Sequence, residues 1–182
     1  MKFYLAISFF GVCLWTGSAL AEMWPHTDAG SETPNQAFMD ALVRDCFDAA
    51  ERRPAKEACS GKWAEQCMDG QENWGHSMIG MTLCTRAEAT AWEKLVDREF
   101  LTTRDVLQQA DERDQDTANV DLPHRAPSLL KTHRAWQLYT EAKCLSEYLT
   151  WRGGTLAKLA GAKCQLASAA EHALFLWSLR QP

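Results

Sequence analysis

HRAWQLYTEAKCLSEYLTWRGGTLAKLAGAKCQLASAAEHALFL, residues 133–176, reads as two helical stretches divided by a glycine pair. In the first, Ala135, Leu138, Ala142, Leu145 and Leu149 step by 3, 4, 3 and 4 residues. That is the narrow apolar stripe of a helix packed in a bundle. Gly153-Gly154 stops this helix, as a glycine pair after a helix usually does. In the second, Leu159, Ala162, Leu166, Ala169, Ala173 and Leu176 step by 3, 4, 3, 4 and 3. Small side chains dominate that stripe, so the last helix is expected to approach its neighbours closely. Two antiparallel helices joined by a glycine turn bring Cys144 and Cys164 near each other, which predicts a Cys144–Cys164 disulfide. Trp136 and Tyr139 flank the first stripe and are expected to cover the side of the bundle.

Upstream the helical period continues. Phe38, Leu42, Cys46 and Ala49 recur every three or four residues after Asn35, and Pro54 ends or interrupts that helix. From Cys59 to Ser77 the chain is rich in Gly, Asn, Asp and Trp and reads as a stapled surface loop with a short helix near its start. A long helix runs from about Ser77 through Met81, Cys84, Glu88, Trp92, Val96 and Phe100 toward Ala110. The polar stretch 111–127 closes with two prolines and reads as a connection. No run of clean period-two alternation occurs. The expected fold is all-α: an antiparallel bundle of about four helices, disulfide-stapled, with no sheet.

The N-terminus sets the compartment. Lys2, an apolar run from Phe3 to Leu20 and the small-x-small end Ala19-Leu20-Ala21 read as a signal peptide, residues 1–21, cleaved before Glu22. Residues 22–37 then form an irregular arm and 38–182 a single domain. Removing Lys2 and no acid moves the formal charge from −5 to −6. This acidity disfavours nucleic acid and anionic membranes as partners and favours a cationic one. No second long apolar run exists, so no membrane span is expected after cleavage. Six cysteines remain, Cys46, Cys59, Cys67, Cys84, Cys144 and Cys164, an even number in an exported chain, which implies three disulfides. About 15 pairings are open to six cysteines. No C-x-x-C pair occurs and the histidines lack ligand spacing, so neither metal nor any other cofactor is expected.

No catalytic residue is expected. Carboxylate pairs such as Asp45/Asp48 and Glu88/Asp97 sit at ordinary helical-surface spacing and read as a solvated face. A polar cleft with converging titratable groups is not anticipated either.

The stretch "LLKTHRAWQLYTEAKC" (129–144), with "GGT" at 153–155 and then Cys164, resembles the C-terminal signature of the LprI-like lysozyme-inhibitor family. Leu130, Arg134, Trp136, Tyr139, Cys144, Gly153 and Gly154 occupy the matching places. Upstream, "MTLCTRAEATAWEKLVDREF" (81–100) is similar to a second element of that family, through Cys84, Trp92, Glu93, Val96, Asp97 and Phe100. The likeness spans about residues 38–178. His133 stands where the family usually has Gln, Thr140 where it has Arg, Glu141 where it has Asp and Asp97 where it has Asn; Ser168 to Glu171 replaces a T-x-x-R. The resemblance implies a small, helical, disulfide-bonded exported protein that inhibits lysozyme. It also implies the pairing Cys46–Cys84, which leaves Cys59–Cys67 as a small loop staple.

Two functions follow as expectations. In the first, the acidic protein blocks a cationic lysozyme, and the loop "CMDGQENWGHSM" (67–78) is the protrusion, offering Trp74 with Asn73, His76 and Ser77 as hydrogen-bonding partners. In the second, the protein is an envelope scaffold that inhibits nothing and exposes an apolar patch along a helix face.

Overall fold

The computed structural model describes residues 33–115 and 123–181, so the expected signal peptide and residues 22–32 of the arm lie outside the described residues. All regular structure described is helical: α1 Gln36–Ala49, α2 Arg53–Glu57, α3 Lys62–Asp69, α4 Met78–Gln115, α5 Arg125–Thr150 and α6 Thr155–Ser178. The all-α, disulfide-stapled bundle stands.

Asn35 starts α1 by accepting the Phe38 N–H at 3.1 Å, which satisfies one of the donors a helix leaves open at its first turn. The helix buries Met39, Val43 and Phe47. The expected stripe is therefore displaced by one residue: Phe38, Leu42 and Cys46 are only half-buried, and Ala49 is exposed. Pro54 does not end α1, which has already stopped at Ala49; it lies in the first turn of α2, where a missing N–H costs nothing. In the stretch 59–77, the short helix expected near its start is α3, Lys62–Asp69, and the rest is turn up to the start of α4.

α4, with 38 residues, is the spine of the molecule. Along its length Gln36 bonds to Ala87 and Arg98 to Asp48, so α1 lies beside α4 and runs the same way. The direction is kept because α2 and α3 carry the chain back: Gly61 and Ala64 meet Glu88, and Cys67 meets Cys84. Phe100 stacks on His133 and Asp111 holds Arg125, so α5 descends antiparallel to α4. α6 then rises between them, antiparallel to α5 and parallel to α4.

α6 is the buried helix. All six residues of its expected stripe, Leu159, Ala162, Leu166, Ala169, Ala173 and Leu176, are buried. Its top is fixed to α4 by Thr103, whose hydroxyl donates to the Leu176 carbonyl at 3.1 Å, and by Arg180, which pairs with Glu99. Lys56 of α2 closes the same end, buried over the Phe47 ring at 4.1 Å and donating to the Phe47 carbonyl.

α5 overturns its expected orientation. Leu138, Leu145 and Leu149 are 70%, 54% and 57% exposed, and Ala135 and Ala142 also face solvent. The buried line is Leu129, His133 and Cys144, with Trp136 and Thr140 half-buried beside it. At 100° per residue the two lines lie on opposite sides of the helix. The aromatic stacks and the disulfide fix the helix rotation more strongly than a stripe of leucines and alanines does. Tyr139 accordingly points outward, 64% exposed, while Trp136 is turned inward.

Cys144–Cys164 forms as expected, with Cα atoms 5.4 Å apart. The other two bridges are Cys46–Cys59 and Cys67–Cys84, which corrects the pairing that the resemblance implied. Gln36 lies beside Ala87, and Cys46 is ten residues further up α1. At about 1.5 Å per residue, that puts it roughly 15 Å above the base of α4, where Cys84 sits. Cys59 precedes α3 and Cys67 lies near its end, and each is bonded to another helix, to Cys46 of α1 and Cys84 of α4.

Candidate functional site

The 67–78 segment is held rigidly. Cys67–Cys84 ties the end of α3 to α4. Gly75 and Gly80 let backbone pack on backbone: a Cβ at Gly80 would stand 2.0 Å from the Trp74 carbonyl oxygen, and one at Gly75 would stand 1.9 Å from that of Met68. Of the four expected contact residues, two are engaged by the fold itself. Ser77 accepts the Gly80 N–H at 3.0 Å and so caps α4, and Trp74 is half-buried against the core. Asn73 and His76 are exposed, with His76 bonded to Asp69 at 3.0 Å.

The motif residues divide between core, groove and surface. Trp92 is fully buried, edge-on to Phe47, and its indole N–H donates to Glu88 at 3.1 Å. Glu88 is not on a solvated face, as its spacing suggested; it is completely buried. Its carboxylate accepts the N–H groups of Gly61 at 2.7 Å and Ala64 at 2.6 Å, capping α3 from another helix. Burial raises its pKa, and those bonds oppose the rise. Asp111 does the same for α5, taking the N–H groups of Arg125 and Ala126, and these bonds lower its pKa. Neither α3 nor α5 carries a cap of its own at its N-terminus.

Between α4, α5 and α6 lies a stack of rings. Phe100 lies on His133 with centroids 4.2 Å apart, and Trp136 lies on His172 at 4.1 Å and 2°. His133 Nδ1 and His172 Nε2 are 3.0 Å apart, so the two share one proton in a hydrogen bond. Burial lowers the pKa of both. It takes His172 to about 4, helped by His133, whereas Asp97 works against the fall at His133. Arg134 is exposed, and Gly153 makes the α5–α6 turn at φ 75°.

Below this stack the helices part. A groove of about 650 Å³ opens along α4, α5 and α6, contrary to the expectation of no polar cleft. Arg86, Glu93 and Asp97 line its α4 wall; Trp136, Glu141 and Tyr148 line its α5 wall; Lys158 and Gln165 come from α6. Glu93 is pushed above the ordinary carboxylate range by burial, with Asp97 adding to the shift. The sequence held one signal for this site: Arg86, Glu93 and Asp97 follow one another on a single α4 face. The leucine stripe of α5 obscures it, because its spacing marks as buried the face of α5 that is exposed.

Among the described residues no group of three or more His, Cys, Asp or Glu is placed to hold a metal ion, and no helix is long and apolar enough to cross a membrane. A family model described as lysozyme inhibitor LprI matches residues 67–176. No curated protein and no solved structure matches the chain.

Proposed function

Because the chain belongs to the lysozyme-inhibitor LprI family, we propose that it is an exported binding protein, not an enzyme, that blocks a lysozyme-type muramidase. Family and three disulfides agree with an extracytoplasmic setting. Cleavage after residue 21 would release the arm 22–37 and the domain 38–182 into the periplasm or the medium. The observation that supports a blocking role is the stapled, glycine-packed 67–78 segment. A muramidase cleaves with two carboxylates in a groove, and a rigid protrusion that donates hydrogen bonds to them fits that groove. Asn73 and His76, the latter bonded to Asp69, are its exposed polar tips, and Trp74 is the half-covered apolar anchor. Net negative charge would steer the encounter with a cationic enzyme.

Calorimetric titration of a c-type lysozyme at two salt concentrations tests this reading. The expected result is one-to-one binding that weakens with salt and falls roughly tenfold in Asn73→Ala and His76→Ala, in line with about 1.4 kcal/mol per contact. Binding that ignores both substitutions removes the segment from the interface.

A scaffold reading is favoured by one observation, the exposed leucine line of α5, which is the kind of patch that marks a protein contact. If that line is the working surface, Leu138→Ser with Leu145→Ser abolishes partner binding and the two loop substitutions do not.

A further inference from the structure

The charges around the α4–α5–α6 groove form no hydrogen bond or ion pair among the described residues. On the α1 side of α4, Lys94 pairs with Asp40, and Arg98 with Asp48 and Glu99. On the groove side, Arg86, Glu93, Asp97, Glu141 and Lys158 make no hydrogen bond or ion pair with any described residue, although both signs are present. They are kept apart by their order along the helices. The antiparallel levels of α4 and α5 put Glu141 beside Glu93, and Tyr148 beside Arg86; the parallel run of α6 puts Lys158 at the level of Arg86. The groove thus has an acidic upper end under Trp136 and a basic lower end beside Tyr148. A third unmet group lies at the acidic end, where the Thr140 hydroxyl, next to Glu141 in the chain, is buried and has no hydrogen-bond partner among the described residues. A buried hydroxyl without a partner is costly unless something supplies one.

We propose that this groove binds a short extended peptide with free ends, its ammonium group between Glu93, Asp97 and Glu141 and its carboxylate between Arg86 and Lys158. The spacing selects the length. Arg86 to Glu93 is seven residues of helix and Arg86 to Asp97 is eleven, about 10 and 16 Å at roughly 1.5 Å per residue. An extended chain covers about 3.3–3.6 Å per residue, so a peptide of roughly three to five residues spans the two charged ends. Trp136 and Tyr148 provide flat apolar walls for its side chains, and Gln137, Thr140 and Gln165 provide polar atoms for its backbone. This site is separate from the proposed muramidase contact and does not depend on it.

The test is calorimetric titration of the oxidised protein with tetra-alanine, with its N-acetylated and C-amidated forms, and with di-alanine, which is too short to span the ends. Saturable one-to-one binding of tetra-alanine is expected, weakened at least tenfold by blocking either end, with no binding of di-alanine. Glu93→Gln with Asp97→Asn should weaken the free peptide by a similar factor and leave the acetylated one unchanged; Arg86→Gln with Lys158→Gln should do the same for the amidated one. These side chains are at the surface of the groove, and circular dichroism of each variant checks that the fold persists. No saturable heat at millimolar peptide, or binding indifferent to both blocked ends, overturns the proposal. So does loss of lysozyme binding in the Glu93/Asp97 variant without any peptide binding, which would give the groove to the muramidase. Failure of lysozyme inhibition with these peptide results intact leaves the proposal standing.

Discussion

α5 and α6 are consecutive helices with the same 3-and-4 stepping of apolar residues, and the fold treats them in opposite ways. The stripe of α6 is buried against α4 and α5, whereas the stripe of α5 faces solvent. Period alone defines a face; it does not say which face is turned inward. On α6 no choice between faces arises, because Cys164, His172 and Leu174 are buried along with the stripe and most of the helix is inside. On α5 a second face carries His133, Trp136, Thr140 and Cys144, and this face makes ring stacks and a disulfide with partners of matching geometry. Aromatic and sulfur contacts therefore outrank aliphatic spacing where the two disagree.

The largest expected effect is on the buried side of the comparison. Leu176→Ala on α6, at a fully buried position, should destabilise by about 2–5 kcal/mol in urea unfolding, the cost of a core cavity. A loss below about 1 kcal/mol would mean that α6 is not the central helix. Next is the bridge joining the two helices. Replacing Cys144 and Cys164 together by Ser opens a loop with a sequence separation of 20 residues and should cost about 3 kcal/mol.

The ring stack gives a comparable effect that depends on pH. The folded pKa of His172 is lowered to about 4 from 6.5, so as pH falls the unfolded chain takes up the proton first. Its stabilising contribution is full above about pH 6.5 and is lost as pH falls toward about 4, at about 1.4 kcal/mol per pH unit. His172→Phe should flatten the acid limb of the stability profile relative to the parent; an unchanged slope would show that the imidazole is not buried. Gly153→Ala should cost about 1 kcal/mol, because the turn between the helices needs positive φ. Smallest is Leu145→Ala on the exposed stripe, within about 0.5 kcal/mol. A loss as large as that at Leu176 would break the comparison outright.

Much of the architecture was legible from local signals. The glycine pair, the α6 stripe, the long α4 and Cys144–Cys164 all depend on residues close in sequence or on one repeating period. The parts that were not legible depend on contacts between distant elements. Glu88 looks like any surface glutamate until α3 is placed over it, and the existence of α3 follows partly from that cap. The pairings Cys46–Cys59 and Cys67–Cys84 follow from α1 and α4 running in the same direction, which no local pattern encodes. The groove is the clearest case. Its acidic and basic ends are visible as one face of α4, but only the rotation of α5 decides that this face borders a cavity.

Residual muramidase activity of a c-type lysozyme, titrated with the oxidised protein, is the most direct test of the functional reading. Saturable inhibition at a defined stoichiometry, lost in His76→Ala with the fold intact, is the predicted result. Full activity at high molar excess of the inhibitor would contradict it.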